Sequence, residues 1–316
     1  MKRTTFRLTN RQKVKLIAIV IVIVFTVAGA IINEHHGGYL DNILNGENES
    51  SLNSVVIGEE ISDPKFTYHF IDVGQGDGTL ILSEKGSVLI DAGPGDHTLS
   101  TVEYIGTLTD TIDIMIITHP HEDHIGAAYE IINTVDVNTV IMPDASSNTA
   151  TFTKLLDAIE KNGCNVIEAK AGDMYNSGEI QIELFGPVMK DDENLNNVSI
   201  FTKITTGEIT AMFTGDAEKE AENELLKKYS KDQLDADIFQ VGHHGSSTSN
   251  SIKLLKAVTP DIAVISCSDD NTYGHPHKET LDNLQEFGIN VYRTDTMGSV
   301  VITTDGKNIG VSVSYT

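Results

Sequence analysis

The order of apolar runs in the chain predicts an α/β domain, with mixed sheets covered by helices, over residues 65–316. Three observations predict it. Short strand-like runs alternate with helical stretches from Phe66 onward, and most are bounded by Gly or Asp. Clusters of His and Asp follow directly after apolar runs, as expected if strand ends collect at one rim.

The first segment, residues 1–32, is of another kind. Lys2, Arg3, Arg7, Arg11, Lys13 and Lys15 precede "LIAIVIVIVFTVAGAII", an uncharged and almost wholly apolar stretch at 16–32. With Val14 it approaches the roughly 20 residues that cross a bilayer as a helix. The basic flank keeps the N-terminus in the cytoplasm and puts the rest outside. A cleavable signal peptide competes with a retained single-pass anchor, because "AGA" at 28–30 suits a cleavage site. Both readings place the domain outside the cytoplasm, at the membrane or secreted. Residues 33–64, rich in Asn, Gly, Ser and Glu, read as a flexible linker in which His35 and His36 are solvated.

Within the domain, "TYHFIDVG", "GTLILS" and "GSVLIDAG" are strand-like, and a helix near 98–108 leads into a strand at 112–117. "TVIMP", a helix around 151–161, "NVIEA" and "IQIELFGP" come next. A hairpin turns at Thr206-Gly207, and an amphipathic helix at 217–229 ends in lysines, matching its dipole. Strands "DIFQVG", "DIAVIS" and "NVYRTD" with helices between them, then "SVVITTD" and "IGVSVSYT", complete the chain. The glycines of "DVGQGDG" suggest a phosphate-cradling loop. No GxGxxG or GKS/T pattern is present, however, and a strand follows instead of a helix, so no nucleotide cofactor is expected. Cys164 and Cys267 are the only cysteines, and buried free thiols are expected.

Charge sets a constraint on partners. The whole chain carries −24, but after residue 15 there are 16 basic and 46 acidic residues, a net −30. Such a domain repels a phosphate backbone unless metals or local basic groups offset the field.

"THPHEDH", at 118–124, puts three histidines and two acids directly after "IDIMII". His119 and His121, two apart, can aim at one point. Asp123 and His124, opening the next helix, can converge on a second. Imidazole and carboxylate are ligands of zinc, manganese and iron at hydrolytic centres. Two such ions, about 3.5–4 Å apart, need a bridging acid, and Asp216 at the end of "AMFTGD" is placed to supply it. "GHHGSSTS" ends another strand, so His243 and His244 can reach the same rim.

HxHxDH, then "FTGD", then a histidine at a strand end resembles the metallo-β-lactamase fold superfamily. The chain is most similar to the metallo-hydrolase domain of ComEC-type DNA-uptake proteins. It carries "DVGQGD" at 72–77, "LIDAG" at 89–93, "HPHEDHIG" at 119–126, "NNVS" at 196–199 and "TGD" at 214–216. "HHGSSTS" at 243–249, "YGHP" at 273–276 and "YRTDTMG" at 292–298 complete the ordered set, which spans about residues 66–304.

The resemblance implies an αββα four-layer sandwich and a binuclear site for two divalent ions, Zn²⁺ or Mn²⁺. It implies His119 and His121 as ligands of one ion, Asp123 and His124 of the other, and Asp216 as the bridge. His243 is expected to coordinate and His244 to contact substrate or protonate the leaving oxygen, with His275 a rival for either role, and Asp123 is counted among the catalytic groups as well. Where the wider superfamily carries a third histidine in the first site, this chain has Asn196 or Asn197 instead; Asn197 and Ser246 are expected to touch substrate. Asp77 and Asp91 orient ligands or cap turns.

The implied reaction is hydrolysis of a phosphodiester, DNA among the candidates, by a metal-bound hydroxide whose pKa falls toward about 7. With a single apolar span, the chain resembles a stand-alone relative and not a multi-span channel. Two alternatives stay open: a small-molecule metallo-hydrolase acting on a β-lactam, lactone or wall-polymer diester, or a non-catalytic module with a degraded metal site.

Overall fold

A computed structural model of the chain describes residues 61–314. The expected anchor at 1–32 and most of the expected linker lie outside these residues. Among the described residues no helix is long and apolar enough to cross a membrane.

In chain order, the first half holds β1 (Phe66–Phe70), β2 (Thr79–Ser83), β3 (Gly86–Ile90), α1 (Thr98–Leu108), β4 (Thr111–Ile116), α2 (Glu122–Ile125), α3 (Ala128–Thr134), β5 (Asp136–Met142), α4 (Ala150–Asn162) and β6 (Asn165–Glu168). After these come β7 (Met174–Ser177), β8 (Ile180–Leu184), β9 (Thr202–Thr206), β10 (Ile209–Phe213), α5 (Lys219–Lys228), α6 (Lys231–Leu234), β11 (Ile238–Gln240) and α7 (Ile252–Val258). The last elements are β12 (Ile262–Ile265), α8 (Lys278–Glu286), β13 (Asn290–Arg293), α9 (Thr294–Met297), β14 (Val300–Thr304) and β15 (Ile309–Val313).

The strands form two sheets, ordered β15-β14-β1-β2-β3-β4-β5-β6 and β13-β12-β11-β10-β9-β8-β7. Their alternating side chains build three apolar layers. Phe66, Tyr68 and Phe70 of β1 meet Ile182, Ile204 and Phe213 between the sheets. The other face of the first sheet packs on Ile105 of α1, Ile131 of α3 and Leu155 of α4. The second sheet's outer face packs on Leu225 of α5, Leu254 of α7 and Leu284 of α8. Helices therefore cover both outer faces, and the sandwich is α/β with two sheets. The one hydroxyl that β1 sends into the central layer is satisfied, because Tyr68 Oη lies 2.7 Å from Thr206 Oγ1 of the opposite sheet.

Local chemistry sets the helix ends. The α4 start is capped by Thr149, whose hydroxyl accepts from Phe152 N, and Gly163 ends it in the left-handed region at φ 69°. The helix expected to open at Asp123 is two pieces, α2 and α3, joined at Gly126-Ala127. Here a Cβ on Gly126 would come within 2.1 Å of Gly95 N, so the chain passes too close for a side chain. Both cysteines are free, Cys267 buried and Cys164 half-buried.

The site follows from strand polarity. β3 and β4 are parallel neighbours, as are β10, β11 and β12. Their C-terminal ends share one edge of the sandwich, and Asp91, "THPHEDH", "TGD" and "GHHG" all fall there.

Candidate metal centre

His119, His121, Asp123, His124, Asp216 and His244 converge at this edge. Asp216 lies at the centre: its Oδ1 is 3.2 Å from His124 Nε2, and its Oδ2 is 3.7 Å from His244 Nε2 and 3.9 Å from His119 Nε2. His119 Nε2 and His121 Nδ1 are 3.0 Å apart. His244 Nε2 lies 3.2 Å from Asp123 Oδ2. Ligand atoms of Asp77, His124, Asp216 and His244 all lie within 4.8 Å of one another.

Asp91 orients these rings. Its Oδ1 accepts from Thr118 N at 2.8 Å, and its Oδ2 accepts from Thr118 Oγ1 at 2.6 Å and His124 Nδ1 at 2.7 Å. Because Thr118 gives its hydroxyl proton to Asp91, it can only accept from His119 Nδ1, 3.1 Å away. One carboxylate thus fixes the tautomer of two histidines and leaves both Nε2 lone pairs facing Asp216. His244 is set the same way, by Nδ1 donating to the Ser266 carbonyl at 3.0 Å.

The donor set fits divalent cations. Buried atoms with no hydrogen-bond partner include His124 Nε2, Asp216 Oδ1, Asp77 Oδ1 and Asn196 Oδ1, all at this edge. Stranding that many polar atoms is costly unless something else satisfies them. The charges agree. Burial opposes charge throughout, yet Asp216, Asp91 and Asp123 hold His124 well above the usual imidazole range, and Asp216 and Asp123 raise His244 to about 9. Against the same burial, His124 and His244 keep the Asp123 and Asp216 carboxyls well below theirs. The site gathers positive charge as protons where it could gather it as metal.

Backbone strain is concentrated here. Asp91, His243 and His244 are non-glycine residues with φ of 55°, 54° and 54°. Asn250 clamps the histidine pair: its Oδ1 accepts from Gly242 N at 2.8 Å, and its Nδ2 donates to the carbonyls of Gly242 and Ser246 at 2.8 and 3.2 Å. Left-handed φ at both positions sends the two rings apart. His244 is buried against Asp123 and Asp216. His243 sits part-exposed at the mouth, with Nε2 3.7 Å from Asp216 Oδ2 and Nδ1 3.1 Å from Thr248 Oγ1.

Other expected residues divide similarly. His275 lines the mouth, with its ring centroid 5.5 Å from that of His243. Asn196 lines the pocket. Asn197 is held in its own loop, its amide donating to Asp191 at 3.0 Å and its oxygen accepting from Glu218 N at 3.2 Å. Ser246 is buried and bonded to Thr248, 3.0 Å away. Asp77 accepts from Gln240 Nε2 at 2.7 Å, and burial pushes its carboxyl up to about 6. The glycines of "GQGDG" serve packing: a Cβ on Gly76 would lie 2.3 Å from the Asp123 carbonyl. Sequence reading missed Gln240, Thr118 and Asn250; a lone amide in the apolar strand "DIFQVG" was the signal for Gln240.

A sequence model of the metallo-beta-lactamase superfamily matches residues 71–269, which contain every ligand candidate except His275. The chain belongs to that superfamily. Among curated relatives, it is 32% identical to "ComE operon protein 3" of Bacillus subtilis over 73% of this chain and 32% of that protein. It is 27% identical to "Recombination protein 2" of Haemophilus influenzae over 78% of this chain and 30% of that protein. The chain therefore spans about a third of the length of these relatives. Among metallo-beta-lactamase folds of known structure, YhfI from Bacillus subtilis superposes with a TM-score of 0.53 at 15% identity, covering 76% of this chain and 99% of that one. At that identity the likeness shows the fold.

Proposed function

We propose that this chain is a metal-dependent phosphodiesterase acting outside the cytoplasm. The observation that carries the reading is the central Asp216, faced by His119, His124 and His244 with unpartnered buried atoms between them. His119, His121 and Asp216 would hold one divalent ion, and Asp123, His124, His244 and Asp216 a second. His244 stands beside His243 as a candidate for the ligand place expected of His243: Nε2 of each lies 3.7 Å from Asp216 Oδ2, and His244 Nδ1 is committed to Ser266. Asn196 offers an unpartnered buried oxygen to the site. When bound, such ions supply Lewis acidity toward a phosphoryl oxygen and acidify water.

The chain's own groups do the rest. Asp91 and Ser266 fix ring tautomers. His243 and His275 line the mouth, where a substrate can reach them, and burial lowers the pKa of both, that of His275 to about 4, so they meet substrate as neutral hydrogen-bonding rings. Similarity to competence proteins supports an anionic diester such as single-stranded DNA. The basic flank before residues 16–32 supports export.

A second reading rests on charge. With 46 acidic against 22 basic residues, the chain suits a small or cationic diester better than a long polyanion. Turnover of bis-p-nitrophenyl phosphate, single-stranded DNA and a choline-bearing diester by the full chain with Mn²⁺ or Zn²⁺ separates the two. Failure to cleave any of them above a His121→Ala control contradicts the phosphodiesterase proposal.

A further inference from the structure

We infer that Tyr273 is a stacking platform for a nucleobase next to the scissile phosphate. The inference rests on the phosphodiesterase reading and names what that site would recognise. Tyr273 is 67% exposed, one of few large hydrophobic side chains so placed, and it lines the same pocket of about 410 Å³ as Asp123, Asp216 and His244. Its ring lies nearly parallel to that of His275, at 22° with centroids 5.5 Å apart. One face of the phenol is thus backed by an imidazole and the ring stays solvent-accessible.

The support is fixed in advance of any ligand. Asn271 holds the loop through both ends of its amide: Oδ1 accepts from His275 N at 3.0 Å and from Tyr273 N at 3.2 Å, and Nδ2 donates to the carbonyls of Ser268 and His275 at 2.6 and 2.7 Å. His275 is further packed edge-on against His277, with centroids 5.0 Å apart, and lies 3.5 Å from the Gln75 amide. A ring held this way loses little freedom when a planar group settles on it. Aromatic side chains bind bases through stacking, which does not depend on net charge. That matters here, because the domain's acidic excess weakens any grip on phosphates. The pocket offers polar and metal-ligating groups for the diester and a single exposed aromatic ring at its lip. A diester carrying a flat base fits that pairing; a linear polyol diester has no planar group for the ring.

The test compares two single strands of equal length with the full chain and Mn²⁺: a mixed-sequence oligodeoxynucleotide and a strand of abasic sites. Wild type should show a KM about tenfold lower for the base-bearing strand. Tyr273→Leu should bring the two KM values together with a smaller change in kcat, and Tyr273→Phe should keep the wild-type ratio. Equal KM values in wild type, or a wild-type ratio in Tyr273→Leu, overturns the platform. If bis-p-nitrophenyl phosphate is cut while the strands are treated alike, the platform falls and the phosphodiesterase reading stands. If no diester is cut, that reading falls. Fluorescence anisotropy of the two labelled strands with the same metal then decides the platform, by the same ratio and variants.

Discussion

The Nε2 of His124 lies 3.2 Å from Oδ1 of Asp216, both atoms are buried, and neither has a hydrogen-bond partner. The Asp91 bond to His124 Nδ1 explains the imidazole half of that relationship, since it leaves a bare lone pair on Nε2. Two acceptors left facing each other in a protein interior call for a cation or a proton between them.

Asp91→Asn should therefore weaken metal binding without touching a ligand. The amide puts a donor where His124 Nδ1–H and the Thr118 hydroxyl now donate, so the tautomers of His124 and His119 lose their anchor. Metal affinity should fall about 10–100-fold. Metal titration followed by calorimetry, beside circular dichroism to confirm folding, reads this directly. Wild-type affinity in the variant would remove Asp91 from the account.

Asn250→Ala should loosen the histidine pair. It strands the N–H and carbonyl of Gly242 in a buried loop whose φ angles at His243 and His244 are already strained. The expected loss is about 1–3 kcal/mol, seen as a lower urea midpoint at unchanged slope. An unchanged midpoint would show that the loop holds its shape by other means.

His69 should give the domain a pH-dependent stability unrelated to the metal centre. It is buried between the Tyr104 hydroxyl at 3.0 Å and the Thr67 hydroxyl at 2.9 Å, and burial lowers its pKa to about 4. The unfolded chain binds the proton near pH 6.5, so this contribution is complete above that value and lost as pH falls toward 4. A shift of this size corresponds to about 3 kcal/mol. The difference between wild type and His69→Gln, followed by urea unfolding from pH 7 to 4, should shrink by that order. Parallel curves would rule His69 out.

The parts of this protein legible in the sequence are those where chemistry and periodicity coincide. "IDIMII" reads as a strand because it is an apolar run, and the polar cluster after it can only sit at a strand end. Asp216 was placed by the same logic. The β9–β10 hairpin was legible from Gly207, and α4 from its apolar spacing. What could not be read depended on backbone angles. "GHHG" alone does not show which of its histidines turns inward; with left-handed φ at both, His244 is buried and His243 is part-exposed at the mouth. Asn196 and Asn197 divide in the same way, because Asp191 and the Glu218 backbone capture only the second. β7, "MYNS" at a sheet edge, has no apolar alternation and went unread. Gln240 reached its role through a partner 163 residues away, a distance no local pattern encodes.

The most direct test of the central claim is the metal content of the purified full chain after dialysis against Mn²⁺ or Zn²⁺, compared with Asp216→Asn. About two equivalents per chain are expected in the wild type, and clearly less in the variant. A wild-type chain that retains no metal, or a variant that retains as much, would contradict it.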